Sequence, residues 1–216
     1  YQRRVRGHMS NIKVPYQVVI WGDSTSQYGD KLSGWINWLR EEYMGKAFFH
    51  NLGISGLNSQ QYLDMVKSQS FDKLMPKTVD KIFIGLGAND AAYKVESVQR
   101  QGVPLEDFRQ NMVQLIAEAQ KYTKNITLIC PPPVYQFQGR NEEVTVQYAK
   151  AVQEIAEANN IHAINMRDFK CEFKTLLVDG LHLNDLGNEV LYKLIAEDIG
   201  EIDFWRDHWS VWKMTQ

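Results

Sequence analysis

One pattern repeats five times along the chain: a short apolar run, a loop of glycine and small polar residues, then a stretch with helical spacing. The runs at 17–21, 46–51, 81–85, 126–130 and 161–165 are rich in Val, Ile or Phe and predict strands. The stretches at 30–43, 59–67, 105–122, 142–159 and 185–199 predict helices. Within 142–159, Val146, Ala149, Val152, Ile155 and Ala156 recur at spacings of three and four, an apolar stripe. Asn184 stands where its side-chain oxygen can cap the last helix. Strands that alternate with helices, with no run of strands alone, predict a parallel sheet covered on both faces. The expected fold is α/β: a single-domain three-layer α/β/α sandwich with a five-stranded parallel sheet.

In such a fold ligands gather beyond the carboxyl ends of the strands, so the loops that follow the strands carry the argument for function. The first is Gly22-Asp23-Ser24. It lacks the Gly-Lys-Ser/Thr of a phosphate loop, and Ser26 stands where a GxSxG elbow needs its last glycine. Taken alone, a serine here is more often a turn or cap residue than a nucleophile. The second loop is Asn51-Leu52-Gly53-Ile54-Ser55-Gly56. Gly53 reads either as a turn needing positive φ or as a place where a backbone N–H meets a ligand with no Cβ in the way. The third is Gly85-Leu86-Gly87-Ala88-Asn89-Asp90, in which Asn89 is a cap or an amide donor for developing negative charge. The segment 91–104 after it reads as an active-site insertion.

Asp179-Gly180-Leu181-His182 precedes the final helix. A spacing of three lets one tight turn bring both side chains to one face, so the carboxylate accepts from His182 Nδ1 and leaves Nε2 as a base. A lone pair of this kind is equally a salt bridge. His50, His162 and His208 have no such partner at that spacing and read as structural or surface residues. Conjunction decides the matter: serine, glycine, asparagine and the Asp/His pair occupy four loops on one rim. Ser24 then reads as a nucleophile.

These blocks resemble the SGNH, or GDSL-type, hydrolase superfamily, whose four letters fall on Ser24, Gly53, Asn89 and His182, in matching order along 16–199. The likeness is closer to the isoamyl acetate-hydrolysing esterase branch. It rests on Gly87-Ala88-Asn89-Asp90-Ala91-Ala92, Val103-Pro104-Leu105-Glu106, Asn111, Pro131-Pro132-Pro133-Val134 and Asp179-Gly180-Leu181-His182-Leu183. Two places depart from it: Asn165-Met166-Arg167, where an acidic residue and an aromatic are expected, and Tyr135-Gln136, where acidic residues are usual. Both bear on substrate choice. The resemblance implies a flavodoxin-like fold and hydrolysis of short-chain, acetate-type esters through an acyl-enzyme. Ser24, Asp179 and His182 are the implied catalytic residues, and the N–H groups of Ser24 and Gly53 with the Asn89 amide are the implied oxyanion hole. Asp23, Pro133 and Val134 are expected to line the substrate. No metal and no cofactor are implied. Rival readings are a carbohydrate or lipid deacetylase or lysophospholipase on the same triad, and a non-catalytic small-molecule binding module. A flavin or phosphate module leaves Asp179 and His182 unexplained.

Bulk properties narrow the partners. The 24 basic and 26 acidic residues, net −2, are spread without blocks, which argues against nucleic acid. No apolar stretch approaches the ~18 residues of a span, and no signal-peptide core is present, so no stable membrane insertion is expected. The cytosol is the expected location, and the sequon Asn125-Ile126-Thr127 is discounted accordingly. Cys130 and Cys171 lack metal or CxxC spacing and read as thiols. Arg3-Arg4-Val5-Arg6-Gly7-His8-Met9 makes 1–9 an expected tag remnant, the alternative being a natural basic arm. Residues 10–203 are then the catalytic domain. The stretch 204–216 carries Trp205, Trp209 and Trp212 at helical spacing, and is expected to pack on the body or on a second copy in a homodimer. A lid or lipid anchor is the other reading of that stretch.

Overall fold

The computed structural model describes residues 15–92, 102–137 and 139–202. The expected remnant at 1–9, the tryptophan stretch 204–216 with His208, and most of segment 91–104 lie outside these residues.

Five strands form where apolar runs meet turn residues: β1 (Tyr16–Gly22), β2 (Ala47–Asn51), β3 (Lys81–Gly85), β4 (Ile126–Ile129) and β5 (His162–Ile164). All pair in parallel, in the order β2-β1-β3-β4-β5. The chain winds outward from β1 to β2, crosses back to β3 and continues to the other edge. The order therefore reverses between β1 and β3, and a crevice opens at the carboxyl end of such a switch point.

Among the described residues, the α-helices are α1 (Ser24–Tyr28), α2 (Trp35–Glu42), α3 (Ser59–Val66), α4 (Leu105–Ala119), α5 (Glu142–Ala158) and α6 (Asp185–Ile199). Alternate strand residues feed two cores. Val18 and Ile20 of β1 pack with Trp35 and Leu39 of α2 and Leu191 and Ile195 of α6. Val19 and Trp21 pack on the opposite face with Leu63, Met112 and Val152 of α3, α4 and α5. A strand covered on both sides is apolar along its covered length, which is why residues 18–21 of β1 show no polar alternation. The α/β/α sandwich is as expected.

Three details differ from the sequence reading. The stretch 30–43 holds a helix only from Trp35, because residues 31–34 form a turn closed by the Gly34 N–H donating to Lys31 O at 2.8 Å. The short α1 before it was not anticipated. In α5, Val146 is 41% exposed, and the buried stripe runs through Thr145 and Tyr148 to Ala149, Val152, Ile155 and Ala156. Asn184 does cap α6, accepting from the Gly187 N–H at 3.0 Å.

At the amino-terminal rim of the sheet, buried Lys81 donates from Nζ to Thr127 Oγ1 at 3.0 Å and Asn125 Oδ1 at 3.1 Å, and pairs with Asp198 Oδ2 at 2.7 Å. Asp198 also holds His162 Nδ1 at 2.5 Å. These bonds tie the end of α6 to β3, β4 and β5. His162 thus has a structural partner far along the chain, and His50 Nε2 has one in Gln17 Oε1 at 2.7 Å.

Candidate active site

Where β1 ends, Asp23 caps α1 at once: its Oδ1 accepts from the Thr25 N–H at 2.9 Å. Ser24 is therefore the first helical residue, 6% exposed. Two glycines let the chain turn in so little space. A Cβ on Gly22 would lie 2.2 Å from Ser26 Oγ and 3.0 Å from Gly85 O. One on Gly53 would lie 2.5 Å from Ser26 Cβ and 2.7 Å from the Gln27 nitrogen. Gly53 is thus required by close approach to α1 and not by a positive φ, which belongs to Gly56 at 85°. Its N–H donates to Asn51 Oδ1 at 3.0 Å, while Asn51 Nδ2 donates to Ser26 O at 2.8 Å.

Asn89 follows β3, beyond Gly87 with its φ of 123°. It is buried, and its amide is held from both ends: Nδ2 donates to Leu57 O at 2.9 Å, and Oδ1 accepts from Arg140 Nη2 at 2.8 Å. Arg140 Nε also donates to Ala88 O at 2.8 Å. Sequence reasoning missed Arg140, a single basic residue in a loop 51 positions beyond its partner. Next to Asn89, both oxygens of Asp90 accept from the Ser59 N–H, at 2.9 and 3.1 Å. Burial pushes the Asp90 carboxyl up to about 7 against those bonds. Asn111 Nδ2 completes this network on Ser59 Oγ at 3.0 Å.

The turn before α6 brings Asp179 and His182 together. Asp179 Oδ1 accepts from the N–H groups of Leu181 at 2.9 Å and His182 at 2.8 Å, and Oδ2 meets His182 Nδ1 at 2.6 Å. Gly180 makes the turn with a φ of 93°, and a Cβ there would lie 2.6 Å from Tyr135 O. Partial burial opposes ionisation of Asp179, but the bonds from His182 and Leu181 outweigh it and hold the carboxyl below its usual range. The His182 ring meets Tyr28 edge-on, centroids 5.1 Å apart, and packs near Phe137 at 5.9 Å. Tyr28 lies one helical turn after Ser24, so the imidazole stands beside α1. Ser24 and His182 are not hydrogen bonded to each other.

A cleft of about 890 Å³ opens beside this pair, bounded by Tyr28, Leu32, Val178, His182 and Leu186 among others. Leu32 and Val178, 87% and 70% exposed, give its mouth an apolar part, while Lys31, Asp185 and Asn188 make the rest polar. Asp23 is buried in its capping role, and Burial there pushes its carboxyl up while Thr25, His182 and Arg140 act to lower it. Pro133 and Val134 are buried too, Val134 against Ala88 and Leu181.

Residues 20–190 match the GDSL-like Lipase/Acylhydrolase family. The chain belongs to that family. Among relatives of this GDSL-family protein, the isoamyl acetate-hydrolyzing esterase 1 homolog of Bos taurus is 29% identical over 89% of this chain and 86% of its own. A GDSL esterase/lipase of Arabidopsis thaliana is 28% identical over 83% and 84%. The lipase/acylhydrolase of Enterococcus faecalis superposes with a TM-score of 0.67 at 25% identity, over 85% of this chain and 95% of that one. An acetyl xylan esterase shares the fold with a TM-score of 0.73 at 20% identity, over 85% and 100%. Among the described residues, no group of His, Cys, Asp or Glu is arranged to hold a metal ion, and no helix is long and apolar enough to cross a membrane.

Proposed function

We propose that this GDSL-family protein is a serine esterase that hydrolyses short-chain, acetate-type carboxylic esters through an acyl-enzyme. One observation carries the reading: an Asp179–His182 pair at 2.6 Å stands beside the helix whose first residue is Ser24. In this mechanism His182 Nε2 takes the Ser24 proton as Oγ attacks the ester carbonyl, and Asp179 fixes the tautomer and steadies the imidazolium. The base closes on Oγ in the substrate complex, where such bonds often tighten. The oxyanion is met by the Ser24 N–H and the Asn89 amide, joined by the Gly53 N–H once it turns from Asn51 Oδ1, each donor contributing roughly 10²–10³ in rate. His182 returns the proton to the leaving alcohol, then activates a water that releases the acid. Pro133, Val134 and the capped Asp23 lie buried outside the cleft lining, and in this reading they shape the acyl end of the site from behind. Sequence likeness to the isoamyl acetate-hydrolyzing esterase homologs supports the small ester as substrate. A cytosolic location fits two free thiols, Cys130 and Cys171.

The test is initial-rate hydrolysis of p-nitrophenyl esters from acetate to dodecanoate, with Ser24→Ala alongside. The expected result is a maximum at acetate to butyrate and a loss of about 10³-fold or more in the variant. A maximum at long chains would move the substrate to lipids, and activity only on acetylated sugars would move it to carbohydrate. Equal activity in the variant would remove Ser24 as nucleophile.

A further inference from the structure

The Asn89 amide cannot turn over. Arg140 can only donate, so it must face Oδ1, and Leu57 O can only accept, so it must face Nδ2. Reversing the amide would set donor against donor and acceptor against acceptor. One Nδ2 proton is taken by Leu57 O, and among the described residues no acceptor takes the other. That second proton is the one an oxyanion needs.

Arg140 is an unusual choice for a merely structural role. It is only 3% exposed, where taking a cation out of water is expensive even with the Asp23 charge acting on it, and an apolar residue of similar size often serves stability as well. Its fork is directed at two successive residues of the β3 loop, Nε to Ala88 O and Nη2 to Asn89 Oδ1, both at 2.8 Å. The backbone holding it is fixed by a two-bond antiparallel bridge with Phe137, at 2.9 and 3.1 Å, and Phe137 packs near the His182 ring. A cation on the carbonyl oxygen of an amide also draws electron density from its nitrogen and strengthens the N–H as a donor.

We propose that Arg140 is a positioning residue for the transition state: it locks the Asn89 amide in its donating orientation and polarises it through Oδ1. This rests on the esterase reading, with Asn89 as an oxyanion donor. No substrate contact by Arg140 is involved.

The test is a double-mutant cycle on p-nitrophenyl acetate, using Arg140→Lys, Asn89→Ala and both together, with melting temperatures measured in parallel. Arg140→Lys keeps the charge and loses the planar fork. The expected result is a kcat about tenfold lower with KM within about twofold, a loss confined to the transition state. In the Asn89→Ala background the same change should have no further effect on kcat. Losses that multiply in the double variant would overturn the inference while leaving the esterase reading intact. If Asn89→Ala alone leaves kcat unchanged, the oxyanion assignment fails and the inference with it, although Ser24→Ala can still report the nucleophile. Should Arg140→Lys not fold, the wild-type protein decides through side-chain amide NMR with butylboronic acid as the probe bound at Ser24. One Asn89 Nδ2 proton should exchange slowly and the other should shift on binding. Two protons exchanging equally fast would show an amide that is not locked.

Discussion

Arg167 grips Glu142 with both arms of its fork, Nε to Oε1 at 2.6 Å and Nη2 to Oε2 at 2.9 Å. The same carboxylate accepts from the Val134 N–H at 3.0 Å, and Arg167 Nη1 donates to Pro131 O at 2.7 Å. A residue that departs from the esterase branch thus fastens the proline loop to the end of β5. Arg167→Ala should lower stability by about 2–3 kcal/mol, because charged, geometrically matched bonds are lost at a mostly buried site. At this chain length that is a fall in melting temperature of roughly 4–12 °C. Calorimetry reads it, and a fall under about 1 °C would show the clamp to be idle.

Asp179→Asn should leave the fold intact and lower kcat by about 10⁴-fold, since an amide facing Nδ1 favours the wrong tautomer. Circular dichroism and steady-state rates separate the two effects. Full activity in a folded variant would assign the orientation of His182 to some other group.

Gly53→Ala should destabilise the protein by about 1–3 kcal/mol or more through overpacking. The added methyl meets Ser26 Cβ and the Gln27 nitrogen, and the latter is backbone and cannot swing aside. Because both contacts belong to α1, kcat should fall along with the melting temperature. A variant of unchanged stability and rate would mean that α1 yields freely, against the packing described.

Asp90 sets a pH dependence. Its carboxyl, pushed up to about 7 by burial, keeps a proton in the folded protein that the unfolded chain has released by then. The contribution to stability is full below the unfolded value of about 4 and drains away as the pH rises to the folded value. Melting temperatures at about pH 5 and about pH 8 should therefore differ less in Asp90→Asn than in the wild type. An identical difference in both proteins would put the titration on another group.

The sheet was legible in the sequence because a strand buried on both faces leaves an unbroken apolar run, as in Val18-Val19-Ile20-Trp21. The Asp179–His182 pair was legible because both partners lie within one turn. What escaped was set by contacts distant in sequence or by side chains bonding the backbone. The short α1 exists because Asp23 caps it. The helix expected from residue 30 waits until Trp35, whose N–H is received by Asn188 Oδ1. Arg140 has no local signature, since its meaning lies in an amide on another loop. Val146 fitted the period of α5 yet faces solvent, because the side of the helix is chosen by α4 and the sheet.

The ionic knot of Lys81, Asp198 and His162 sits at the opposite end of the strands from Ser24, Asn89 and His182. One rim fastens the molecule shut while the proposed chemistry lies at the other. Loops on the working rim can therefore be lengthened, recut or exchanged without loosening the bolt beneath them, and a designer seeking new substrates has a chassis whose anchorage is already out of the way.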